Sequence, residues 1–141
     1  MIRSGSAVWK GNLREGSGTV STESGVLRDS PYSFRSRFES EPATNPEELI
    51  AAAHAACFSM ALSLQFQMAG MTPELIETTA RVTLEKLEAG FTITASHLAL
   101  TAKVPGSSVE QISVAAEAAK SGCIVSRLLN AKVSLEILPT S

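Results

Sequence analysis

The segment NPEELIAAAHAACFSMALSLQFQMAG, residues 45–70, predicts one long helix that the rest of the chain must cover. Asn45 suits the position that caps a helix, Pro46 the first helical position, and Glu48 the third position of a capping box. Gly70 is typical of the residue that ends a helix, because glycine readily adopts a left-handed conformation. We therefore expect a single helix that begins at Pro46 and ends just before Gly70.

This predicted helix is apolar on every side. Its most apolar part, residues 49–64, is shorter than the roughly 20 residues that span a bilayer, and it contains His54, Cys57 and Ser59. We therefore expect the buried helix of a soluble protein and no membrane partner. Its many alanines leave little side-chain bulk, so a second helix can approach closely in the core or at a subunit interface.

Short β-like runs precede the helix. Ala7–Lys10 and Thr19–Thr22 are separated by a turn signal at Gly16-Ser17-Gly18. In a third run, Tyr32–Phe38, alternation places the aromatic residues on one face and the arginines on the other. The three runs predict an antiparallel meander.

A hairpin with a bulge is predicted after the helix. From Val82 to Ala95, apolar and polar residues alternate on both sides of a turn at Glu88-Ala89-Gly90. The alternation then changes phase, because the next apolar residues, beginning at Leu98, have even numbers. Since a one-residue slip would turn the core face of a strand to solvent, we expect a bulge or bend near Ser96-His97.

Two helices and a strand close the chain. Ser107-Ser108-Val109-Glu110 is typical of a second capping box, which opens a helix that stops at Gly122. A short helical turn then begins at Cys123, and residues 131–137 alternate as a final strand. We find no repeat and no linker, so the prediction is a single α+β domain over residues 1–141.

Composition excludes several classes of partner. The formal net charge is −2 and no block of like charges occurs, which argues against nucleic acid or an anionic membrane. The hydrophobic fraction of 44% and charged fraction of 18% are typical of a globular chain. Residues 1–6 lack the apolar core of a signal peptide, so we expect a cytoplasmic protein.

Cys57 and Cys123 are candidate redox residues. Two cytoplasmic cysteines are either buried as small hydrophobic residues or used in catalysis and redox sensing. Peroxide reduction needs one thiolate to attack the O–O bond and a second thiol to convert the sulfenic acid into a disulfide. The two cysteines lie 66 positions apart (123 − 57), so only the fold can bring them together.

The local sequence leaves open which cysteine attacks. Cys123 opens a short helix, where backbone N–H groups lower the pKa of a thiol, whereas burial alone would raise that of Cys57. If Cys57 attacks, a cation must reach it, and Arg35 and Arg37 are the candidates, although each also suits a solvated strand. Glu47 suits the first turn of the helix, but it lies ten residues before Cys57 (57 − 47). That is about 15 Å along a regular helix, so Glu47 can serve only the Cys57 of an antiparallel partner chain.

Residues 44–60 closely resemble the OsmC/Ohr family, in particular through TNPEELI and AHAACFSM. The branch of osmotically inducible protein C (OsmC) fits best. The resemblance continues upstream through residues 18–27 and 37–39, and downstream through residues 118–123 and Val125-Ser126. It therefore covers nearly the whole chain.

The resemblance implies a thiol-dependent peroxidase that reduces organic hydroperoxides, including those of fatty acids, to alcohols. It implies a peroxidatic Cys57, a resolving Cys123 that forms an intramolecular disulfide, a thiolate-pairing Arg37 and an arginine-orienting Glu47. It implies an OsmC-like fold, with antiparallel sheets around a long central helix, in an intertwined homodimer. No metal or flavin cofactor is implied, and the reductant is an external thiol or dithiol such as a dihydrolipoyl group.

Two alternatives to this function remain. One is a metal site in which His54 and Cys57, which share a predicted helix face, join Cys123 and His97, but no Cys-x-x-Cys pair is present. A helix residue with satisfied hydrogen bonds is the competing interpretation of His54. The other alternative is a non-catalytic, stress-associated dimer that binds a lipid-like ligand. Ile124 departs from the family pattern, in which proline often follows the second cysteine and would rigidify the loop.

Overall fold

Residues 1–140 are described by the computed structural model, in ten helices and strands that fall into two units. The first unit is Met1–Leu49, and the second comprises the residues from Ile50 onward. Each unit contains a three-stranded sheet, and helices accompany both sheets. This content confirms the predicted α+β class, while the single domain over residues 1–141 stays a prediction.

The first unit contains the predicted antiparallel meander. Its strands are β1 (Gly5–Lys10), β2 (Ser17–Thr22) and β3 (Ser30–Ser33), hydrogen-bonded in that order. Gly18 lies inside β2 rather than in a turn, and it pairs with Trp9 and Tyr32, whose ring centroids are 5.4 Å apart. A Cβ at position 18 would lie 2.3 Å from the carbonyl oxygen of Val8, so only glycine permits this packing.

The run Tyr32–Phe38 is not one strand, contrary to the prediction. β3 ends at Ser33, and Phe34–Phe38 forms the short helix α1. The Ser33 hydroxyl accepts a hydrogen bond from the N–H of Ser36, and the Ser36 hydroxyl accepts one from the N–H of Ser33. This reciprocal capping box starts a helix, and the helical spacing brings the two phenylalanine rings within 4.8 Å of each other.

The long helix α2 runs over Pro46–Met68, as predicted. The backbone N–H of Glu48 donates to Oδ1 of Asn45 at 2.8 Å, which confirms Asn45 as the capping residue. Gly70 has a φ of 71°, the left-handed conformation expected just beyond a helix end. The sequence therefore predicts both ends of this helix correctly.

One side of α2 is buried and the other is exposed and apolar. Buried side chains recur at every fourth position, at His54, Phe58, Leu62 and Phe66. On the other side, Met60 is 76% exposed, and Leu64 and Met68 are also exposed. By length and composition alone, α2 could cross a membrane. The spacing of its buried residues, however, is typical of a helix that packs one stripe against a protein core.

The second sheet contains the predicted hairpin and bulge. Its strands are β4 (Leu75–Leu87), β5 (Gly90–Lys103) and β6 (Lys132–Ile137), in that order. Thr83 pairs with Ala95 and Leu84 with Ile93, so Thr94 is the extra residue of a bulge in β5. The bulge lies just before the Ser96-His97 position predicted for it. It allows the following residues of β5, including Ser96 and Leu98, to face the core.

The strand β6 runs parallel to β5, so the second sheet is mixed rather than purely antiparallel. A parallel neighbour needs a crossover connection, which is supplied by α3 (Val109–Gly122) and α4 (Ile124–Leu128). The cap of α3 is Ser108, whose hydroxyl accepts from the N–H of Gln111. The capping box therefore lies one residue later than predicted.

The core of the second unit encloses Cys123. The buried cluster combines side chains of α2, β5 and α3 with this cysteine: Phe58, Leu62, Phe66, Leu98, Leu100, Ala116 and Ala119. The alanines of α3 allow its backbone to approach closely. Cys57 packs against the edge of the cluster, so the core itself brings the two cysteines to one place.

Candidate active site

The two cysteines meet in the second unit. They pack at the same core cluster and lie close enough for each to shift the pKa of the other, raising that of Cys57 and lowering that of Cys123. Both are free thiols. Cys57 is half-buried, whereas Cys123 is 1% exposed. The fold thus joins two residues that are 66 positions apart (123 − 57), an arrangement that suits formation of a disulfide from a sulfenic acid.

Cys123 lies at the junction of two helices. Its N–H donates to the carbonyl of Ala119 at 2.8 Å as the last cap of α3, and its carbonyl accepts from the N–H of Arg127 at 3.0 Å at the start of α4. The short helix after Cys123 is therefore present as predicted. It begins at Ile124.

The surroundings of Cys123 favour its thiolate. Burial raises the pKa of this thiol, but the backbone N–H groups of Ser126 and Val125, the Ser126 hydroxyl and the Cys57 thiol lower it more, so the net pKa lies below its usual value. Backbone N–H groups at a helix start carry partial positive charge, which stabilises a thiolate. Cys123 is therefore the more readily ionised thiol of the pair in this chain.

The surroundings of Cys57 favour its neutral thiol. Burial is the main cause that raises the pKa of Cys57, and the neighbouring Cys123 raises it further. The backbone N–H groups of Val125 and Ile124 oppose this without overcoming it. Cys57 therefore needs a further cation before it can act as a thiolate at neutral pH. The attacking and resolving roles of the two thiols stay predictions.

Arg37 and Glu47 form an ion pair in the first unit. Nη2 of Arg37 donates to Oε1 of Glu47 at 2.7 Å, and Nε donates to the same oxygen at 3.1 Å. The Glu47 side chain is 13% exposed and that of Arg37 is 41% exposed. The carboxylate thus fixes the orientation of a guanidinium that stays accessible. Because α1 is a helix and not a strand, Arg35 does not share the face of Arg37, and it is Arg37 that Glu47 orients.

His54 is fully buried and hydrogen-bonded on both ring nitrogens. Nδ1 lies 2.7 Å from Oγ of Ser96, and Nε2 lies 2.8 Å from Oγ of Ser126. Burial lowers the pKa of His54, so the ring is neutral near pH 7. These contacts confirm the interpretation of His54 as a helix residue with satisfied hydrogen bonds. Its two serine partners are not evident from the sequence, and a hydroxyl at an inward position of β5 is the signal that points to Ser96.

The four residues considered for a metal site do not form one. Within residues 1–140, no group of three or more histidine, cysteine or acidic side chains is placed to hold a metal ion. His97 instead has Nδ1 2.8 Å from Oγ of Ser134 and Nε2 3.3 Å from a carboxylate oxygen of Glu136. The two histidines thus lie in separate hydrogen-bonded networks.

Residues 38–138 match the family model described as OsmC-like protein. The chain belongs to the OsmC family. Peroxiredoxin OsmC of Escherichia coli (strain K12) is 53% identical to it over 134 residues, which cover 95% of this chain and 94% of that relative.

Solved structures of OsmC-family proteins share the fold. OhrB, the organic hydroperoxide resistance protein of Bacillus subtilis, superposes with a TM-score of 0.75 at 26% identity, over 96% of this chain and 98% of that one. An OsmC-like protein of unknown function from Vibrio cholerae superposes with a TM-score of 0.78 at 19% identity, over 98% and 99% of the two chains, and shows the fold alone. These matches confirm the predicted OsmC-like fold.

An apolar pocket adjoins Arg37 in this OsmC-family chain. It has a volume of about 270 Å³ and is lined mainly by aromatic and aliphatic side chains of the first unit: Trp9, Leu13, Tyr32, Phe34 and Phe38. Arg37 lies at the same pocket, with its guanidinium carbon 5.4 Å from the ring centroid of Phe38. An apolar wall beside a guanidinium suits a small molecule that has a hydrocarbon part and a polar end.

Proposed function

We propose that this chain reduces organic hydroperoxides to alcohols, with Cys57 as the peroxidatic and Cys123 as the resolving cysteine. The chain is a thiol-dependent hydroperoxide reductase of the peroxiredoxin type, given its family and its identity with a peroxiredoxin along nearly its whole length. The observation that carries the proposed mechanism is that the core of the second unit brings the two thiols close together.

The proposed reaction has three steps. The Cys57 thiolate attacks the terminal oxygen of ROOH; the O–O bond breaks, an S–O bond forms, and the alkoxide takes up a proton to leave as ROH. The Cys123 sulfur then attacks the sulfenic sulfur of Cys57, forming the disulfide and releasing hydroxide, which leaves as water with the proton lost by Cys123. An external dithiol, such as a dihydrolipoyl group, returns both cysteines to thiols by exchange.

In this proposal Arg37 supplies the cation that Cys57 lacks. A guanidinium stays charged at all relevant pH values and donates through a planar fork, so it can pair with a thiolate and a peroxide oxygen together. The ion pair with Glu47 supports this role, because it holds the guanidinium in one orientation. Lowering the pKa of Cys57 through a neighbouring positive charge would reverse the preference for the neutral thiol.

A homodimer is part of the proposal, because Glu47 and Cys57 lie ten residues apart (57 − 47) on the continuous helix α2. The rise between them is about 15 Å, so the Arg37–Glu47 pair of one chain would serve the Cys57 of an antiparallel second copy. The exposed side of α2 supports this arrangement. It carries small residues at Ala52, Ala53 and Ala56 and larger apolar ones at Met60 and Leu64, a surface that a second helix could cover.

A preference for organic over inorganic peroxide is supported by the apolar pocket beside Arg37. A hydrocarbon chain gains free energy by leaving water for such a surface, whereas hydrogen peroxide has no apolar part to bury. We place the reaction in the cytoplasm, where thiol and dithiol reductants keep cysteines reduced. The same chemistry requires no metal or flavin cofactor.

A peroxidase assay with matched cysteine variants tests the proposal. With dithiothreitol or dihydrolipoate as reductant, the wild-type protein should consume cumene hydroperoxide and a fatty-acid hydroperoxide faster than hydrogen peroxide. Cys57→Ser should abolish turnover. Cys123→Ser should still oxidise once at Cys57 and then over-oxidise to sulfinic acid, which mass spectrometry detects.

The opposite pattern would reverse the roles. If Cys57→Ser still oxidises once and Cys123→Ser does not, Cys123 is the attacking thiol, as its lowered pKa in the single chain would suggest. A wild-type protein that binds the hydroperoxide without consuming it would instead be the ligand-binding dimer considered as the alternative.

A further inference from the structure

A line of hydrogen-bonded polar groups crosses the apolar core of the second unit and ends at Cys123. It begins at Ser96 on β5, passes through both ring nitrogens of His54 on α2, and continues to the Ser126 hydroxyl on α4. Ser126 is the third residue of α4, one helical turn from the cap residue Cys123, and its hydroxyl lowers the pKa of the Cys123 thiol. Ser96 and His54 are 0% exposed, so water does not substitute for any partner at that end of the line.

The hydrogen bonds of this line have one consistent direction when Cys123 is a thiolate. A serine hydroxyl carries a single hydrogen, so Ser126 donates to the sulfur and its oxygen then accepts Nε2–H of His54. Because neutral histidine carries one ring hydrogen, Nδ1 is left to accept the hydroxyl hydrogen of Ser96. Burial lowers the pKa of His54, which keeps the ring neutral, so one ring nitrogen can donate while the other accepts.

We infer that His54 and Ser126 are positioning residues for the resolving step: they hold the Ser126 hydroxyl so that it donates to the sulfur of Cys123 and keeps this cysteine ready to attack. The inference rests on the proposed function, because it takes Cys123 as the resolving cysteine. It assigns to His54 a role in the chemistry in addition to its place in the core. Neither residue touches the peroxide, so both act through Cys123.

The step that this line assists is disulfide formation. The Cys123 thiolate attacks the sulfur of the Cys57 sulfenic acid; an S–S bond forms, the S–O bond breaks, and the sulfur of Cys123 is oxidised while that of Cys57 is reduced. The departing hydroxide takes up the proton that Cys123 lost on ionisation, so one water is released. The rate depends on the thiolate fraction of Cys123 at any pH below its pKa.

A purely structural role is a poor explanation of this line. A buried polar network adds little stability over apolar side chains of similar size, and each member costs free energy if its partner is lost. An apolar side chain at position 54 would extend the cluster that already contains Phe58 and Leu62. A histidine at position 54 is better explained if its hydrogen bond orients the Ser126 hydroxyl toward the sulfur of Cys123.

The first experiment measures the ionisation of Cys123 alone. In a Cys57→Ser background, the ultraviolet absorbance of the thiolate is followed against pH for Ser126→Ala, for Ser126→Thr, which keeps a hydroxyl, and for Ser59→Ala. Ser59 is a matched control, since its hydroxyl donates one hydrogen bond to Thr78 on β4 and none to the line. Within the hydrogen-bonded core, the titratable groups close to Cys123 are Cys57 and, through Ser126, His54.

We expect Ser126→Ala to raise the pKa of Cys123 by about one unit, which is about tenfold less thiolate below the pKa. Ser126→Thr keeps the hydroxyl, so the pKa of Cys123 should stay close to that of the parent protein. Ser59→Ala should not change this pKa. His54→Asn, checked for folding by circular dichroism, should raise the pKa in the same direction as Ser126→Ala. An unchanged pKa in Ser126→Ala, or in folded His54→Asn, would overturn the inference.

The second experiment follows single-turnover kinetics with both cysteines present. In Ser126→Ala, the rate at which cumene hydroperoxide oxidises Cys57 should not change. Formation of the disulfide should be about tenfold slower than in the wild type at a pH below the pKa of Cys123, and its rate should recover at a pH above this pKa. An equally fast disulfide step in Ser126→Ala would reject the positioning role and leave the proposed function intact. Failure of the wild type to form the disulfide at all would reject the proposed function itself.

Discussion

Replacing Glu47 by glutamine tests whether its ion pair with Arg37 matters for catalysis or only for stability. The change removes one negative charge and nearly preserves the size of the side chain. Two donors of Arg37 reach Oε1 of Glu47, at 2.7 and 3.1 Å. Hydrogen bonds to charged groups contribute about 1.5–3 kcal/mol, so a loss of that size from the transition state would lower kcat/KM by about 10- to 150-fold.

The expected effect on stability is much smaller. The Arg37 side chain is 41% exposed, so solvent screens the pair and its contribution to the free energy of unfolding is about 0–1 kcal/mol. Glu48→Gln is the matched control, since Glu48 occupies the same first helical turn and loses the same interaction with the helix dipole. Urea unfolding and the peroxidase assay with cumene hydroperoxide, run on both variants, separate the two effects.

A double-mutant cycle completes this test. If Glu47 acts only by orienting Arg37, Glu47→Gln should cause no further loss of kcat/KM in an Arg37→Met background. The reasoning is refuted if Glu47→Gln retains the same kcat/KM as Glu48→Gln. It is also refuted if the losses of the two single variants simply add in the double variant.

Three further predictions concern the core, the pocket and pH. Leu62→Ala should lower the free energy of unfolding by about 2–5 kcal/mol in urea titrations, because this fully buried side chain leaves a cavity; a loss near zero would contradict its place in the core. Leu13→Ala should raise KM for cumene hydroperoxide and leave the kinetics with hydrogen peroxide unchanged, since only the organic substrate uses the apolar wall. Below pH 6.5, the usual pKa of histidine, His54 is protonated in the unfolded chain but not in the folded chain, where its pKa is lowered. The free energy of unfolding should therefore fall as the pH drops. It should fall less steeply in His54→Asn.

The sequence predicts the elements whose ends carry their own chemical signals. Asn45 and Gly70 mark the two ends of α2 correctly, because a capping side chain and a left-handed glycine act within one helical turn. The hairpin of β4 and β5 is equally well predicted from alternation. Its bulge, at Thr94, lies close to the place where the alternation changes phase.

The run Phe34–Phe38 shows where alternation misleads. Its two phenylalanines are four residues apart, a spacing that is compatible with one face of a strand and also with one face of a helix. The serines at positions 33 and 36 decide between the two structures, because their reciprocal hydrogen bonds start a helix. The same change separates Arg35 from Arg37, which a strand would have placed on one face, and Glu47 pairs with Arg37.

The active-site pair of cysteines could be named from the sequence, but its assembly could not. No spacing rule brings Cys57 to Cys123, since their contact depends on how α3 and α4 return to the core. The serine partners of His54 come from β5 and α4, and only the fold joins these elements. The parallel pairing of β5 with β6 was missed for a similar reason, because strand direction depends on the crossover and not on the strand sequence.

The contact between Cys57 and Cys123 also bears on how heat would act on the protein. Under the proposed chemistry, oxidation closes a covalent loop of 66 residues (123 − 57). A link of that length restricts the unfolded chain enough to favour the native state by about 4 kcal/mol. The oxidised, disulfide form would thus melt at a higher temperature than the reduced form. A thermal melt of the protein in cell extract would therefore show how much of it a peroxide has oxidised.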